Sequence, residues 1–272
     1  MMGPQLDLTF AQGRDGRSRL LRRSCRYPWS LTRPFWIDPA PVGMATVIPQ
    51  SSCSILLDGD CLRQSIRLEQ GAEAHLASQG AQVVHRGDPK EPSRVDWQLK
   101  VGAGAILELL WDPPILLPGA HMAQCLDITL APGARLLLAE GLAWHPDAAS
   151  PAFHAFESRV GIRDNAGRLL AVEESRITPE ALRRGGCPPL VAIVTVWALG
   201  AVSAGFSQDV RGLLRAWPDA YGAVTELPNA AGLLVRALCL RSTLTRQLQE
   251  AIWRALREDR YGVSPPDRRR GR

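Results

Sequence analysis

Short apolar runs separated by turn residues make up most of the chain. Its 24 glycines and 21 prolines lie among these runs, and long stretches with a helical hydrophobic period are scarce before residue 207. Leu6, Leu8 and Phe10 alternate with polar residues as in an edge strand, and residues 162–172 predict a hairpin around Asp164–Gly167. The pattern as a whole favours strands over helices, so we expect a mainly β fold.

A pattern with four fixed positions occurs three times at intervals of 31 residues. The copies are Leu68-x-x-Gly71-Ala72-x-x-x-Leu76, Leu99-x-x-Gly102-Ala103-x-x-x-Leu107 and Leu130-x-x-Gly133-Ala134-x-x-x-Leu138. Each copy predicts a strand, a turn in which glycine supplies a positive φ, and a returning strand. Similar units bury their apolar faces best by stacking. We therefore expect stacked, solenoid-like β layers in preference to a sandwich of independent hairpins.

Two amphipathic helices are predicted in the C-terminal third of the chain. Ser207 is expected to cap the first, and Pro218 to end it. Its apolar positions are Val210, Leu213, Leu214 and Trp217. The second follows Ser242 and has apolar residues at four-residue spacing, namely Leu244, Leu248, Ile252 and Leu256. We expect both helices to cover the sheets.

Composition and charge narrow the class of protein. The chain has 272 residues, of which 46% are hydrophobic and 22% charged, which is typical of one globular domain with a large core. Four arginines in the last five positions account for most of the net charge of +5. The rest is nearly neutral, which argues against a nucleic-acid groove. We divide the chain into an N-terminal edge segment (1–27), one β domain (28–262) and a basic, disordered tail (263–272).

Cysteine usage and hydropathy bear on location. The six cysteines form no Cys-x-x-Cys pair, and Met1–Phe10 lacks the cationic start and apolar run of a secretory leader. We therefore expect reduced thiols and a cytoplasmic protein. The longest uncharged apolar run, residues 190–206, is at the short limit for a membrane span. A buried strand pair is the preferred interpretation, and a membrane-attached protein is the alternative.

The sequence contains no catalytic motif that we recognise. Gly102-Ala-Gly104-Ala lies inside the repeat and predicts a turn rather than a nucleotide loop. The five histidines have no local metal-ligand spacing; His75 and His85 could face one another, and His145 and His154 are expected in solvent.

Acidic residues stand at four turn or strand-end positions: Asp58, Asp60, Glu108 and Glu140. Such carboxylates are usually solvated or bound to turn amides. The functional alternative is a set of oxygen ligands along a path for a divalent cation. A further possibility is a β-solenoid hydrolase or metalloenzyme that uses Asp58 and Asp60 as a carboxylate pair.

Several segments, read in chain order, resemble those of one known family. Ser30–Trp36 resembles an Arg-Pro-Phe-Tyr stretch, and Ile55–Asp60 resembles a Val-Gly-Gly-Asp segment. The further matching segments are Gln70–Ala72, Gln79–Gln82, His85–Arg86, Gly104–Ile115, Gly222–Pro228, Leu234–Leu238 and Ile252–Arg257. They lie within residues 28–262. The chain thus resembles the urease accessory protein family called UreD or UreH.

The resemblance implies a non-enzymatic, mainly β scaffold with two helices. In this family the protein binds the urease apoprotein on one side and UreF on the other, and the GTPase UreG joins through UreF. It helps to convey nickel to the urease active site through an internal passage. We therefore expect no tightly bound cofactor, with nickel only in transit. Successive weak ligands suit transit better than a His/Cys cage, which would retain the ion.

The resemblance also implies site residues. Carried over by position, the nickel-path candidates are Asp60, Ser78, Glu108 and Glu140. Arg33 and Phe35 are candidate interface residues. The sequence departs from the family where Ala77-Ser78 replaces paired threonines and Gln82-Val83 replaces Thr-Lys, and residues 141–153 lack a Gly-Arg and Gly-Glu segment. A UreD-like paralogue without a urease role is therefore an alternative.

Overall fold

Two β-sheets enclose the main core of the protein. The computed structural model describes residues 3–145, 153–184 and 190–266. In chain order its strands are β1 (Leu6–Gln12), β2 (Ser18–Cys25), β3 (Trp29–Leu31), β4 (Ala45–Val47), β5 (Pro49–Ser51), β6 (Ile55–Leu56), β7 (Cys61–Leu68), β8 (Glu73–Ala77), β9 (Val83–Val84), β10 (Ser93–Val101), β11 (Ile106–Leu110), β12 (Ile115–Leu116), β13 (His121–Leu130), β14 (Arg135–Trp144), β15 (Ala155–Asp164), β16 (Leu169–Ile177), β17 (Ala192–Leu199), β18 (Ala220–Glu226) and β19 (Gly232–Cys239). The helices are α1 (Pro179–Arg184), α2 (Ala204–Arg215) and α3 (Thr243–Tyr261).

The repeat units form coils of a solenoid. One sheet has seven strands in the order β16-β15-β13-β10-β7-β1-β2, and the other has the order β18-β19-β17-β14-β11-β8-β4 with β6, β9 and β12 attached. The first strands of the three repeat units, β7, β10 and β13, are parallel neighbours in the first sheet, and β8, β11 and β14 are parallel neighbours in the second. The prediction of stacked, solenoid-like layers is confirmed. Because the two strands of each unit lie in different sheets, the units are coils rather than hairpins.

The second repeat copy lies two residues later than the sequence pattern suggested. Val101, not Leu99, pairs with both Leu68 and Leu130. The turn glycines with positive φ are Gly71 (67°), Gly104 (65°) and Gly133 (70°). Gly102 serves a different purpose, because a Cβ there would lie 2.7 Å from the carbonyl oxygen of Leu68. A shift of two residues leaves every side chain on the same face of the strand, so the apolar alternation could not separate the two registers.

Both predicted helices form, but the first begins earlier than predicted. Ser203, not Ser207, is its N-cap: the Ser203 backbone is extended and its Oγ accepts a hydrogen bond from the Phe206 N–H at 3.0 Å. Ser207 lies inside the helix and accepts from Arg211 Nη1 at 2.7 Å. The second helix follows Ser242 as predicted. The short helix α1 was not predicted.

Helices α2 and α3 cover the outer face of the ten-stranded sheet. Alternate residues of the central strands, such as Val194, Val196 and Val235, pack there against Leu248 and Ile252 of α3. All eight residues of β17 are buried, because the inter-sheet core covers one face and the helices cover the other.

The N-terminal strands and the apolar run over residues 190–206 differ from the prediction. β1 lies between β7 and β2, so β2 is the edge strand. The hairpin over residues 162–172 is confirmed by the antiparallel pairing of β15 and β16. Residues 190–206 contain β17 and the start of α2 rather than a strand pair. None of the helices in the described ranges combines the length and the apolar character needed to cross a membrane.

The corrected cap gives a testable difference between two serines. We expect Ser203→Ala to lower the free energy of unfolding by about 1 kcal/mol, because the α2 N-terminus loses its cap. Ser207→Ala should lower the free energy of unfolding by less than Ser203→Ala does. Urea unfolding followed by circular dichroism measures both, and a cost for Ser207→Ala equal to or above that of Ser203→Ala would contradict the assignment.

Candidate functional site

A buried cluster of charged and polar side chains joins α3 to the ten-stranded sheet. We call it the Glu108 cluster, and its members are Asp38, His75, Glu108, Trp253 and Arg257. Glu108 is 1% exposed. Its neighbours in β11, Leu107 and Leu109, face the inter-sheet core, so Glu108 points to the opposite face, towards α3.

Three partners bind the Glu108 carboxylate. Its Oε2 accepts from Trp253 Nε1 at 2.7 Å and lies 2.8 Å from His75 Nδ1. Arg257 donates from Nε to Oε1 at 2.8 Å and from Nη2 to Oε2 at 2.7 Å. His75 reaches this position because it is the direct neighbour of Glu108 in the β8–β11 pairing.

Arg257 also binds the loop that precedes β4. Its Nη1 lies 2.9 Å from Asp38 Oδ1 and donates to the Ala40 carbonyl at 3.0 Å. Its Nη2 lies 2.9 Å from the Met44 sulfur. One guanidinium therefore connects the helix, the central sheet and this loop.

The cluster shifts the ionisation of its members. Burial tends to raise the pKa of Glu108, but the hydrogen bond from His75 and the charge of Arg257 outweigh it and hold that pKa at about 2. Burial tends to lower the pKa of Arg257, but the charges and hydrogen bonds of Glu108 and Asp38 raise it. Glu108 is therefore an anion and Arg257 a cation at neutral pH.

Ser78 lies beside the cluster at the rim of a cavity. Its Oγ donates to Asp112 Oδ2 at 2.8 Å and accepts from the Asp112 N–H at 2.9 Å. The cavity has a volume of about 440 Å³. Lining residues include Phe35, Ile37, His75, Ser78, Asp112 and Trp253. The structure thus brings Ser78 and Phe35 to one cavity, whereas Arg33 is exposed in the preceding loop.

Glu140 occupies a separate place between the two sheets. Its Oε1 accepts from Trp197 Nε1 at 2.8 Å and its Oε2 from Gln124 Nε2 at 2.6 Å. A small cavity of about 20 Å³ adjoins it. Burial raises the pKa of Glu140, although the hydrogen bonds from Trp197 and Gln124 act in the opposite direction.

Asp60 and Asp58 bind turn amides at the surface. Asp60 is exposed, and its Oδ2 accepts from the Leu57 N–H at 2.9 Å. Asp58 Oδ2 accepts from the Asp88 N–H at 3.1 Å. Asp60 borders a surface cavity of about 590 Å³. The nickel-path candidates are thus distributed over three places rather than one.

The histidines and cysteines do not form a metal centre in the described ranges. No three His, Cys, Asp or Glu side chains there converge closely enough to hold one ion. His75 is buried and His85 is exposed, and both His145 and His154 are exposed. The described cysteines are free thiols: Cys25, Cys53, Cys61, Cys125 and Cys239. Cys187 and the arginines of the tail lie outside the described residues.

Comparison with known proteins identifies the family. The family model for the UreD urease accessory protein matches residues 2–272. Urease accessory protein UreD 1 of Methylorubrum extorquens (strain PA1) is 38% identical over 276 residues, which cover 98% of this chain and 91% of that protein. UreD 1 of Bradyrhizobium sp. (strain BTAi1) is 30% identical over 99% of this chain and 100% of that protein.

This chain belongs to the UreD family of urease accessory proteins. The resemblance inferred from short segments is therefore confirmed over nearly the whole chain. The family is described as an accessory protein of urease.

The Glu108 cluster of this UreD-family chain was only partly visible in its sequence. Glu108 was a candidate, but its partners Trp253 and Arg257 were assigned no role. A signal was present: Arg257 follows Trp253 by four residues and adjoins the apolar Leu256, so it falls near the buried stripe of α3. A charged residue at such a position requires a buried partner.

Removing the cation should destabilise the fold strongly. Arg257→Met leaves Glu108 and Asp38 buried without their cation, and we expect a loss of about 3–5 kcal/mol in the free energy of unfolding. Arg246→Met is the control on the same helix, because Arg246 is 46% exposed in its ion pair with Glu250 and should contribute about 0–1 kcal/mol. Equal losses in urea unfolding would refute the assigned role of the cluster.

Acid should reveal the ionised state of Glu108. The pKa of Glu108 is lowered from 4.5 to about 2 in the folded protein. The ionised carboxylate therefore contributes fully to the free energy of unfolding above pH 4.5, and this contribution is lost as pH falls towards 2. Glu108→Gln should be less stable at pH 7, and its stability should change less between pH 4.5 and 2. Thermal unfolding at a series of pH values tests this expectation, which fails if the two proteins give parallel curves.

Proposed function

We propose that this chain is a non-catalytic maturation scaffold for urease. In this proposal it binds the urease apoprotein and UreF, engages the GTPase UreG through UreF, and helps to deliver nickel to the urease active site in the cytoplasm. The observation that carries the proposal is the match of the UreD family model to residues 2–272. The free thiols of the described cysteines favour a reducing compartment.

An exposed apolar segment supports a role in binding other proteins. Phe35, Trp36 and Ile37 are 45%, 40% and 51% exposed, and Val42 is 66% exposed. Phe35 and Ile37 also line the 440 Å³ cavity beside α3. Consecutive exposed apolar side chains next to a cavity are typical of protein interfaces. We assign this segment, with Arg33, to partner binding.

Polar groups inside the protein support the passage of an ion. Gln64 is 2% exposed, and its amide nitrogen and oxygen have no hydrogen-bond partner in the protein; Gln82 Nε2 and Trp29 Nε1 are also buried without one. Buried polar groups of this kind are normally satisfied by water. A hydrated interior with isolated oxygen ligands suits an ion in transit, because dispersed weak ligands release it.

The candidate ligands differ in their availability to nickel. Asp60 is exposed and Glu140 is partly buried between the sheets, and we propose them as ligands near an opening and within the passage. Ser78, with Asp112, borders the cavity beside α3 and is a further candidate. Glu108 points away from the inter-sheet space, and its oxygens are occupied, so we assign it to holding α3.

The hydrolase alternative has less support. Asp58 and Asp60 each bind a turn amide through one carboxylate oxygen, which explains their presence without catalysis. No described contact orients either residue towards the other.

A disruption and rescue experiment tests the proposed function. A urease-positive host that lacks this chain should make urease with little nickel, and the intact chain should restore nickel content and copurify with UreF and the urease apoprotein. Normal nickel content without the chain would refute the proposal and would favour the paralogue.

Within this system, Asp60→Ala separates binding from delivery. We expect the variant to copurify with both partners but to lower the nickel content of urease several-fold, because a ligand is lost while the apolar segment is intact. Asp58→Ala is the matched control from the same turn and should behave as the intact chain. Normal nickel content with Asp60→Ala would remove Asp60 from the path.

A further inference from the structure

Two rows of polar side chains face each other between the sheets. In the ten-stranded sheet, Glu140 pairs with Thr195, which pairs with Arg236 on β19. In the seven-stranded sheet the corresponding row runs across β13, β15 and β16, and it consists of Gln124, Ser158 and Ser175. Gln124 joins the rows, since its Nε2 donates to Glu140 and also to Ser158 Oγ at 2.9 Å.

These rows border the apolar inter-sheet core. The residues two positions before and after Glu140 in β14 are Leu138 and Leu142, and both belong to the inter-sheet core. Polar groups are costly in such a place unless they are paired. The two rows of three residues form a polar layer across six strands, in which Thr195 is buried and the other five residues are partly exposed.

The polar layer runs from solvent to the interior. The Arg236 side chain is 41% exposed and that of Glu173, two residues before Ser175 on β16, is 24% exposed. Glu140 lies at the inner end of its row, hydrogen-bonded to Trp197. Both Arg236 and Glu173 line the cavity beside Glu140, and the charges of both act on the Glu140 carboxyl group.

Arg236 closes the outer end of this layer. Its Nη2 lies 2.6 Å from Glu173 Oε1, and its Nε donates to Thr195 Oγ1 at 3.4 Å. The cavity behind it is about 20 Å³, room for about one water molecule. The guanidinium thus pairs with the carboxylate of Glu173 and lines the same cavity as Glu140.

We propose that Arg236 is a gate: its guanidinium occupies the place of a divalent cation between Glu173 and Glu140, and a cation enters when Arg236 swings into solvent. This inference rests on the proposed function, because it concerns how the nickel passage is closed. Carboxylate, hydroxyl and amide oxygens around the cavity form a weak, oxygen-rich site for such an ion. The exchange involves no covalent step, since one monovalent group leaves and one divalent ion enters.

The structure supports movement of Arg236 rather than of its partners. Its side chain is long, and 41% of it is exposed, so its ion pair is of the kind that costs little to open. Glu140 is fixed by Trp197 and Gln124. A partly exposed cation that shares a cavity with a hydrogen-bonded carboxylate is the arrangement that a gate requires.

The test removes the charge of Arg236 and measures nickel binding by the full-length chain itself. Arg236→Met keeps an extended apolar stem but lacks the guanidinium. We expect it to bind Ni²⁺ at least about tenfold more tightly than the unmodified chain in titration calorimetry, because a competing positive charge has gone. Adding Glu140→Gln to Arg236→Met should abolish the gain.

A matched control excludes a general effect of net charge. Arg159→Met removes the same charge from an ion pair with Glu174, in which both side chains are more than half exposed. It should leave Ni²⁺ affinity unchanged. Arg236→Lys should bind Ni²⁺ as weakly as the unmodified chain, because a cation remains at the position. This variant provides the comparison if Arg236→Met folds poorly.

Fluorescence locates the bound ion. Trp197 donates to Glu140, so Ni²⁺ bound there should quench its emission in Arg236→Met and not in Arg236→Met with Trp197→Phe. Equal Ni²⁺ affinity in Arg236→Met, Arg236→Lys and the unmodified chain would overturn the gate. Ni²⁺ binding is measured without urease, so this test is separate from the rescue experiment. If Arg236→Met binds Ni²⁺ more tightly but the intact chain does not restore the nickel content of urease, only the proposed function is refuted.

Discussion

The contact of Arg257 with Glu108 and Asp38 is the constraint on which the arrangement of the protein depends. Both carboxylates and the guanidinium are essentially inaccessible to solvent. Burying three charges is expensive, and they compensate each other only at short distance. Any displacement of α3 along or around its axis would leave a buried charge unpaired, so the helix has one permitted position on the solenoid.

The position of α3 determines which groups cover each face of the ten-stranded sheet. Its outer face is closed by α2 and α3, and the 440 Å³ cavity with the exposed Phe35 segment lies where α3 meets the loop before β4. Its inner face contributes to the inter-sheet core and carries the row that begins at Glu140. The proposed partner-binding segment therefore lies at the outer face of this sheet, and the proposed Glu140 ligand at its inner face. The alternation of side chains along each strand makes this separation possible.

Glu108 and Glu140 show how environment gives one residue type two roles. Glu108 is held as an anion by Arg257 and His75, so it acts as a permanent structural charge. Glu140 has neutral donors in direct contact, and burial raises its pKa. A carboxylate without a fixed counter-ion can exchange partners, and one in a saturated ion pair cannot. This difference is the reason for assigning Glu140 to the passage and Glu108 to the helix.

The sequence by itself determined the β-solenoid, the hairpin over residues 162–172 and the two C-terminal helices, because hydrophobic period and turn residues act over a few neighbouring positions. It left the register of the second coil open between Leu99 and Val101, since both lie on the same face. Only the tertiary structure decided which polar residues meet. The partners of Glu108 lie 33 and 149 residues away at His75 and Arg257, and no local pattern encodes contacts at such separations.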